Sequence, residues 1–183
     1  MLKKFYPSEY VDSVFSIDYE KLYNKGYHGL IFDIDNTLVH HGDDSTEKVD
    51  NLFKSIKEIG FNTLLLSNNN EERVTRFNKN IGSLYICDAE KPKTKNYEKA
   101  VEMLNMKKSE VLVIGDQLFT DILGANKSNM DSILVKFIRQ KNETSIGKRR
   151  KLENLILRFY VKNRTAYNKI GDITKKGEEE NVI

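Results

Sequence analysis

At 183 residues, with 39% apolar and 31% charged side chains, the chain has the composition of a soluble globular domain, long enough for one core with appendages. A net charge of +3 does not by itself imply nucleic acid, and the single cysteine, Cys87, excludes an internal disulfide and fits a reducing compartment. No apolar run is long enough to cross a bilayer, and the N-terminal MLKKFYPSEYVDSVF lacks the apolar segment of a signal peptide, so a cytoplasmic protein is expected.

Residues 1–27 read as an N-terminal extension packed on a core that spans residues 28–140. The first predicted strand is Leu30, Ile31 and Phe32 in GLIFDIDNTLVHHG, and it stops at Asp33 and Asp35. A helix follows: Asp44 with Glu47 three places on resembles a capping box, Val49, Leu52, Phe53, Ile56 and Ile59 share a face, and Gly60 is its stop. The second strand, Leu64 to Leu66, halts at Ser67 and Asn68 in TLLLSNNN. Residues 71–79 predict a helix with Val74 and Phe77 inward, and LYICD a short third strand with Cys87 as a buried strand-end residue. Residues 94–106 predict a helix burying Tyr97, Val101 and Leu104. The fourth strand, VLVIG, ends at Asp116; a short helix near Phe119 carries Ile122, Leu123 and Ala125, and SILVKF is the fifth strand.

None of these strands alternates with polar residues, so both sheet faces are expected to be covered. Strand and helix in turn predict an α/β fold, Rossmann-like, with three α/β/α layers around an open parallel sheet of about five strands. Ligands of such sheets gather at the carboxyl ends of the strands. Asp33/Asp35, Ser67/Asn68 and Asp116 all end strands, so they are expected to converge.

Those residue types suit hydrolysis of a phosphate monoester. Asp33 can attack phosphorus, and the repulsion between two anions calls for a divalent cation; an all-oxygen site suits Mg²⁺. Asp33 and Asp116 are candidate carboxylate ligands, with a backbone carbonyl near Asp35 as a third. Asp35 can protonate the leaving alkoxide and later deprotonate water. The Ser67 hydroxyl and Asn68 amide offer donors to phosphoryl oxygens. Lys91 in AEKPKTKNYEKA is the candidate cation holding the nucleophile; Lys93 and Lys95 are rivals, and Lys91 is preferred because it precedes the proline that opens a helix. Thr37 reads as local support for the loop. His40 and His41 read as an exposed loop pair with a substrate contact as the alternative; a zinc site lacks further ligands.

DIDNTL, LLSNN, EKPKTKNYEKA and VIGDQLFTDILGAN resemble, in order, the four motifs of the haloacid dehalogenase (HAD) superfamily. Within it the chain looks like subfamily IIIA phosphatases of the YqeG-type branch, which is similar to mitochondrial phosphatidylglycerophosphate phosphatases. The resemblance implies a Mg²⁺-dependent enzyme with Asp33 as nucleophile, Asp35 as acid/base, Ser67 and Lys91 on the phosphoryl group and Asp116 on the metal. Asp121 matches the second acid of the fourth motif, acting through water or orienting Lys91. Residues 38–64 and 70–90 leave no room for a cap domain. An uncovered site suits a large, membrane-held or partner-presented substrate, phosphatidylglycerophosphate among them, with phosphoprotein as the competing choice.

Residues 141–183 read as a basic helix and tail. Lys148, Arg149, Arg150, Lys151, Arg158, Lys162 and Arg164 face a single acid, Glu153, while Leu152, Leu155, Ile156 and Phe159 recur at helical spacing. The expected arrangement packs this helix on the sheet with its basic face in solvent; the alternative lays it on an anionic phospholipid surface at the inner membrane face. KKGEEENVI reads as a frayed tail. A competing function is a catalytically weak module binding RNA, ribosome or protein through the basic helix.

Overall fold

The computed structural model describes residues 2–139, 147–162 and 169–175; Arg164 and the tail from residue 176 lie outside them. The strands are β1 (Glu9–Val11), β2 (Gly29–Phe32), β3 (Asn62–Leu66), β4 (Leu84–Ile86), β5 (Val111–Gly115) and β6 (Asp131–Val135). All pair in parallel, in the order β1-β6-β5-β2-β3-β4. The helices are α1 (Tyr19–Asn24), α2 (Glu47–Ile59), α3 (Glu71–Asn78), α4 (Thr94–Leu104), α5 (Leu123–Lys127) and α6 (Lys148–Lys162). A π-helical turn, Leu118–Ile122, runs directly into α5.

The period of two along β2 divides the layers. Leu30 and Phe32 join one core with Leu22 of α1, Phe53 and Ile56 of α2, and Val74 and Phe77 of α3. Ile31 points the other way, into a core with Tyr97, Val101 and Leu104 of α4 and Ala125 of α5. Both faces are therefore apolar, as the uninterrupted apolar runs require.

Four details differ from the sequence reading. A sixth strand, β1, comes from the N-terminal extension and pairs with β6 at the sheet edge. The N-cap of α2 is Thr46, whose hydroxyl accepts the Val49 N–H, in place of Asp44. Helix α4 starts at Thr94 as expected but ends at Leu104, short of residue 106, and Pro92 lies two residues before it without opening it; Lys93 is an N-cap whose side chain makes no capping bond. Cys87 is half-buried beside the first core, just past the end of β4.

Helix α6 is turned about its axis relative to the expected apolar face. Ile156 is buried with Leu118, Ile122 and Leu134, and Glu153 and Tyr160 are buried beside it. Leu152, Leu155 and Phe159 are 51%, 49% and 46% exposed. Polar tethers override the apolar pattern here: Glu153 Oε1 accepts the Phe119 N–H at 3.3 Å and Glu153 Oε2 accepts from Arg150 at 2.9 Å.

Gly60 ends α2 at φ 115°, a conformation that favours glycine, as its place in the sequence predicts. Gly124 serves close packing instead: a Cβ there would lie 2.4 Å from the Tyr97 ring. Gly124→Ala is expected to destabilise the fold by about 1–3 kcal/mol through overpacking. Urea unfolding checks this, and an unchanged midpoint would mean that α4 and α5 part without strain.

Candidate active site

Strands β5, β2 and β3 are neighbours, and β2 is where the sheet reverses its order of construction, the usual place for a ligand crevice. Asp33 is the first residue past β2, Ser67 the first past β3 and Asp116 the first past β5. The Asp33 N–H still donates to the Ile114 carbonyl at 2.9 Å, which fixes the register between the two carboxylate-bearing ends.

Oxygens of Asp33, Asp116 and Asp121 lie within 4.8 Å of one another, all on buried residues. Desolvating three neighbouring carboxylates is costly without cations. Two are present. Lys91 Nζ, itself buried, donates to Asp33 Oδ1 at 2.5 Å and to Asp121 Oδ1 at 2.7 Å. Arg150 reaches from α6 to Asp116, one Nη1–H on its backbone carbonyl at 2.8 Å and Nη2 on Oδ2. Lys93, a rival for Lys91, is exposed and pairs with Glu90; Lys95 lies in the first turn of α4, outside this cluster.

Burial drives the electrostatics. It pushes the Asp33 carboxyl up to about 6; Lys91 opposes it and Asp121 reinforces it. Burial, with the Asp33 charge beside it, pushes Asp116 up to about 8 against the opposing Arg150. Burial would lower Lys91, yet Asp121 and Asp33 outweigh it and hold the ammonium charged.

The donor set fits a hard divalent cation. Thr37 Oγ1 sits 3.2 Å from Asp33 Oδ2 and 3.1 Å from Asp116 Oδ1. A hydroxyl carries one proton, so it can serve only one of these two oxygens at a time. The other is left as an electron-rich ligand on a buried carboxylate, and the donors are all oxygen. Asp33 and Asp116 would hold the ion, which would lower the cost of keeping both ionised.

The Asp35 carboxylate is engaged outside this cluster, so of the expected ligands Asp33 and Asp116 offer carboxylates and Asp35 can offer only its backbone carbonyl. Oδ1 accepts the Gly42 N–H at 3.1 Å and Arg73 Nη2 at 3.0 Å; Oδ2 accepts from Asn69 Nδ2 at 2.5 Å, with His41 Nδ1 at 3.4 Å. Burial alone would raise this carboxyl, but the Gly42 N–H, Asn69, Arg73 and His41 together hold it below the usual carboxylate range. Arg73 also donates to the Asp43 carbonyl at 2.6 Å, fastening the 40–44 loop to α3. Of the loop pair expected to be exposed, His41 is exposed while touching Asp35, and His40 is half-buried.

Ser67 is buried, and its Oγ accepts from the Asn69 N–H at 3.2 Å and Asn69 Nδ2 at 2.9 Å. Its own proton is thereby left for another acceptor. Asn68 is exposed, and its Oδ1 accepts the Lys91 N–H at 2.8 Å, tying the β3 end to the lysine loop. Asp121 sits in the π-helical turn, where Oδ2 accepts the Gln117 N–H at 3.0 Å. Gly115 is what admits it: a Cβ there would lie 2.5 Å from Asp121 Cβ.

Three contributors were not among the candidates read from sequence. Asn69 lies two residues after Ser67 in the asparagine run, a signal that was present. Arg73 stands 38 residues from Asp35 and Arg150 34 residues from Asp116, with no local pattern to mark either.

A family model of haloacid dehalogenase-like hydrolases matches residues 39–129, which takes in Ser67, Lys91, Asp116 and Asp121 and begins after Asp33 and Asp35. The chain is 42% identical over 137 residues to a probable phosphatase, YqeG, of Bacillus subtilis (strain 168), covering 74% of this chain and 80% of that protein. An uncharacterized protein from Listeria monocytogenes serotype 4b has a similar fold, with a TM-score of 0.53 at 15% identity over 71% of this chain and 98% of that one. A haloacid dehalogenase-like hydrolase from Brucella suis 1330 superposes with a TM-score of 0.48 at 12% identity, over 64% of this chain and 92% of that one. From the Bacillus relative and the family match together, the chain belongs to the haloacid dehalogenase-like hydrolase family.

Proposed function

We propose that the chain is a Mg²⁺-dependent phosphatase that works through a phosphoaspartyl intermediate on Asp33. That it is a phosphoric monoester hydrolase follows from its family and its probable-phosphatase relative. The observation that carries the finer reading is the cluster itself: Lys91 bridging Asp33 and Asp121 beside the Thr37-linked Asp116.

Asp33 and Asp116 would hold Mg²⁺, which would supply charge neutralisation for an anionic nucleophile meeting an anionic ester. Asp33 Oδ2, whose partner among the described residues is a shared hydroxyl, is the oxygen that attacks phosphorus as the P–O bond to the leaving alkoxide breaks. Lys91 holds Oδ1 and so aims Oδ2. The Ser67 proton meets a phosphoryl oxygen. Asp35 rests as a carboxylate, the form that takes the proton of the attacking water in the second half-reaction. To serve the alkoxide first, it must gain a proton, which requires its Arg73 and Asn69 contacts to loosen when substrate enters. Asp121 orients Lys91.

The substrate is proposed to be large or held at a membrane, with phosphatidylglycerophosphate the leading candidate. Support comes from the absence of a cap: between β2 and β3 lies only a loop and α2, and between β3 and β4 only α3. Phosphate release from an aryl phosphate with Mg²⁺ is expected, falling by more than about a hundredfold on chelation. A panel of phosphatidylglycerophosphate in vesicles, sugar phosphates, nucleotides and phosphopeptides tests the substrate. Preference for a soluble metabolite would defeat the lipid reading while leaving the phosphatase intact.

A further inference from the structure

The solvent side of α6 has a composition that packing does not explain. Residues 148, 151, 152, 155, 158, 159 and 162 recur at spacings of three and four and so share one arc of the helix. They are Lys148, Lys151, Leu152, Leu155, Arg158, Phe159 and Lys162, and every one is exposed. The arc thus holds four cations and three large apolar side chains with no acid among them. The helix's acid, Glu153, is turned inward and occupied by Arg150 and the Phe119 N–H. Val161 adds a further exposed apolar group beside the arc.

Charge and apolar surface on one arc select the partner. A nucleic-acid backbone rewards the cations and gives nothing for exposed leucines. A protein partner of ordinary composition leaves several cations without counter-charges. An anionic bilayer satisfies both, with lipid headgroups around the lysines and arginine and the interfacial region around the leucines and phenylalanine. The arc also adjoins the candidate active site. Two contiguous cavities along α6 share Tyr10, Asn154 and Leu157; one is lined by Leu155, Arg158, Phe159 and Lys162 of the arc and the other by Asp116 and Arg150. We propose that the outer face of α6 docks the protein on an anionic lipid surface, with Leu152 and Leu155 entering the interface and Lys151 and Arg158 pairing with headgroups. This goes beyond the hydrolase reading and does not depend on it.

The test is co-sedimentation of the full chain with vesicles of phosphatidylcholine alone and of phosphatidylcholine mixed with phosphatidylglycerol. Binding to the mixed vesicles is expected to exceed binding to the neutral ones by more than about tenfold and to weaken with salt. The double variant Leu152→Glu/Leu155→Glu should lose that binding by about tenfold or more, with melting temperature and aryl phosphate turnover unchanged. A second variant, Lys151→Glu/Arg158→Glu, should remove the preference for anionic vesicles. Equal binding to both vesicle types overturns the proposal, as does binding that survives both variants. So does absence of vesicle binding, whether the chain stays free, self-associates through the arc or binds single-stranded RNA instead. Turnover of a soluble aryl phosphate reads the hydrolase assignment separately, so the two can fail independently.

Discussion

Asp33→Asn protein is expected to hydrolyse an aryl phosphate at least about a thousandfold more slowly than the parent, while folding as well or better. The amide keeps the shape and can still bond Thr37 and Lys91, but it is no nucleophile. The stability half follows from the electrostatics. Burial pushes Asp33 up to about 6 in the folded chain, above its ordinary value of 3.8. A carboxyl with a raised folded pKa favours the fold fully below its unfolded pKa, and that contribution is lost as pH rises through the folded value. At pH 8 the ionised Asp33 therefore works against folding, beside Asp116 and Asp121, and a neutral replacement relieves it. Rate and melting temperature measured together separate this from misfolding. Parent-like turnover in Asp33→Asn would remove the assigned nucleophile, and a sharp fall in melting temperature at pH 8 would contradict the charge argument.

The positions that can be read along one dimension are those set by periodicity and by strand ends. Five apolar runs mark five strands, and their polar terminators Asp33, Ser67 and Asp116 meet because parallel strands in one sheet end on one edge. Strand β1 is hidden because three residues, EYV, carry too little pattern, and the strand exists through pairing with β6 across more than a hundred positions. The Asp35 environment is equally non-local: its Arg73 partner is an ordinary first-turn residue of a polar helix. In α6 the apolar spacing points to the wrong face. The hydrophobic gain of burying Leu152, Leu155 and Phe159 competes with a polar anchor, Arg150 on Asp116 and Glu153 on the Phe119 amide, which only the tertiary fold supplies.

The second large effect concerns Lys91, whose removal leaves the buried acids with Arg150 as their remaining cation in the cluster. Lys91→Met should destabilise the fold by about 3–5 kcal/mol at pH 8, since breaking a buried ion pair strands the partner charges. The loss should depend on pH in a definite direction. Lys91 holds the Asp33 carboxyl down against burial, so without it that group rises above the parent's value of about 6. Asp116, pushed up to about 8 by burial and the Asp33 charge, takes up its proton in parent and variant alike, so the difference between them rests on Asp33. As pH falls from 8 toward 5, these carboxyls take up protons in the folded chain while their unfolded counterparts stay ionised, so the fold regains stability. The gap between variant and parent should therefore narrow on acidification. Mg²⁺ should also narrow it at pH 8, because an ion binding only the folded cluster stabilises it by mass action. Urea unfolding at pH 8 and pH 5, with Mg²⁺ or a chelator, measures all of this without reference to turnover. A gap that stays constant across pH would mean that the acids are kept apart by solvent, and that Lys91 is a tether for the loop more than a counter-charge for the site.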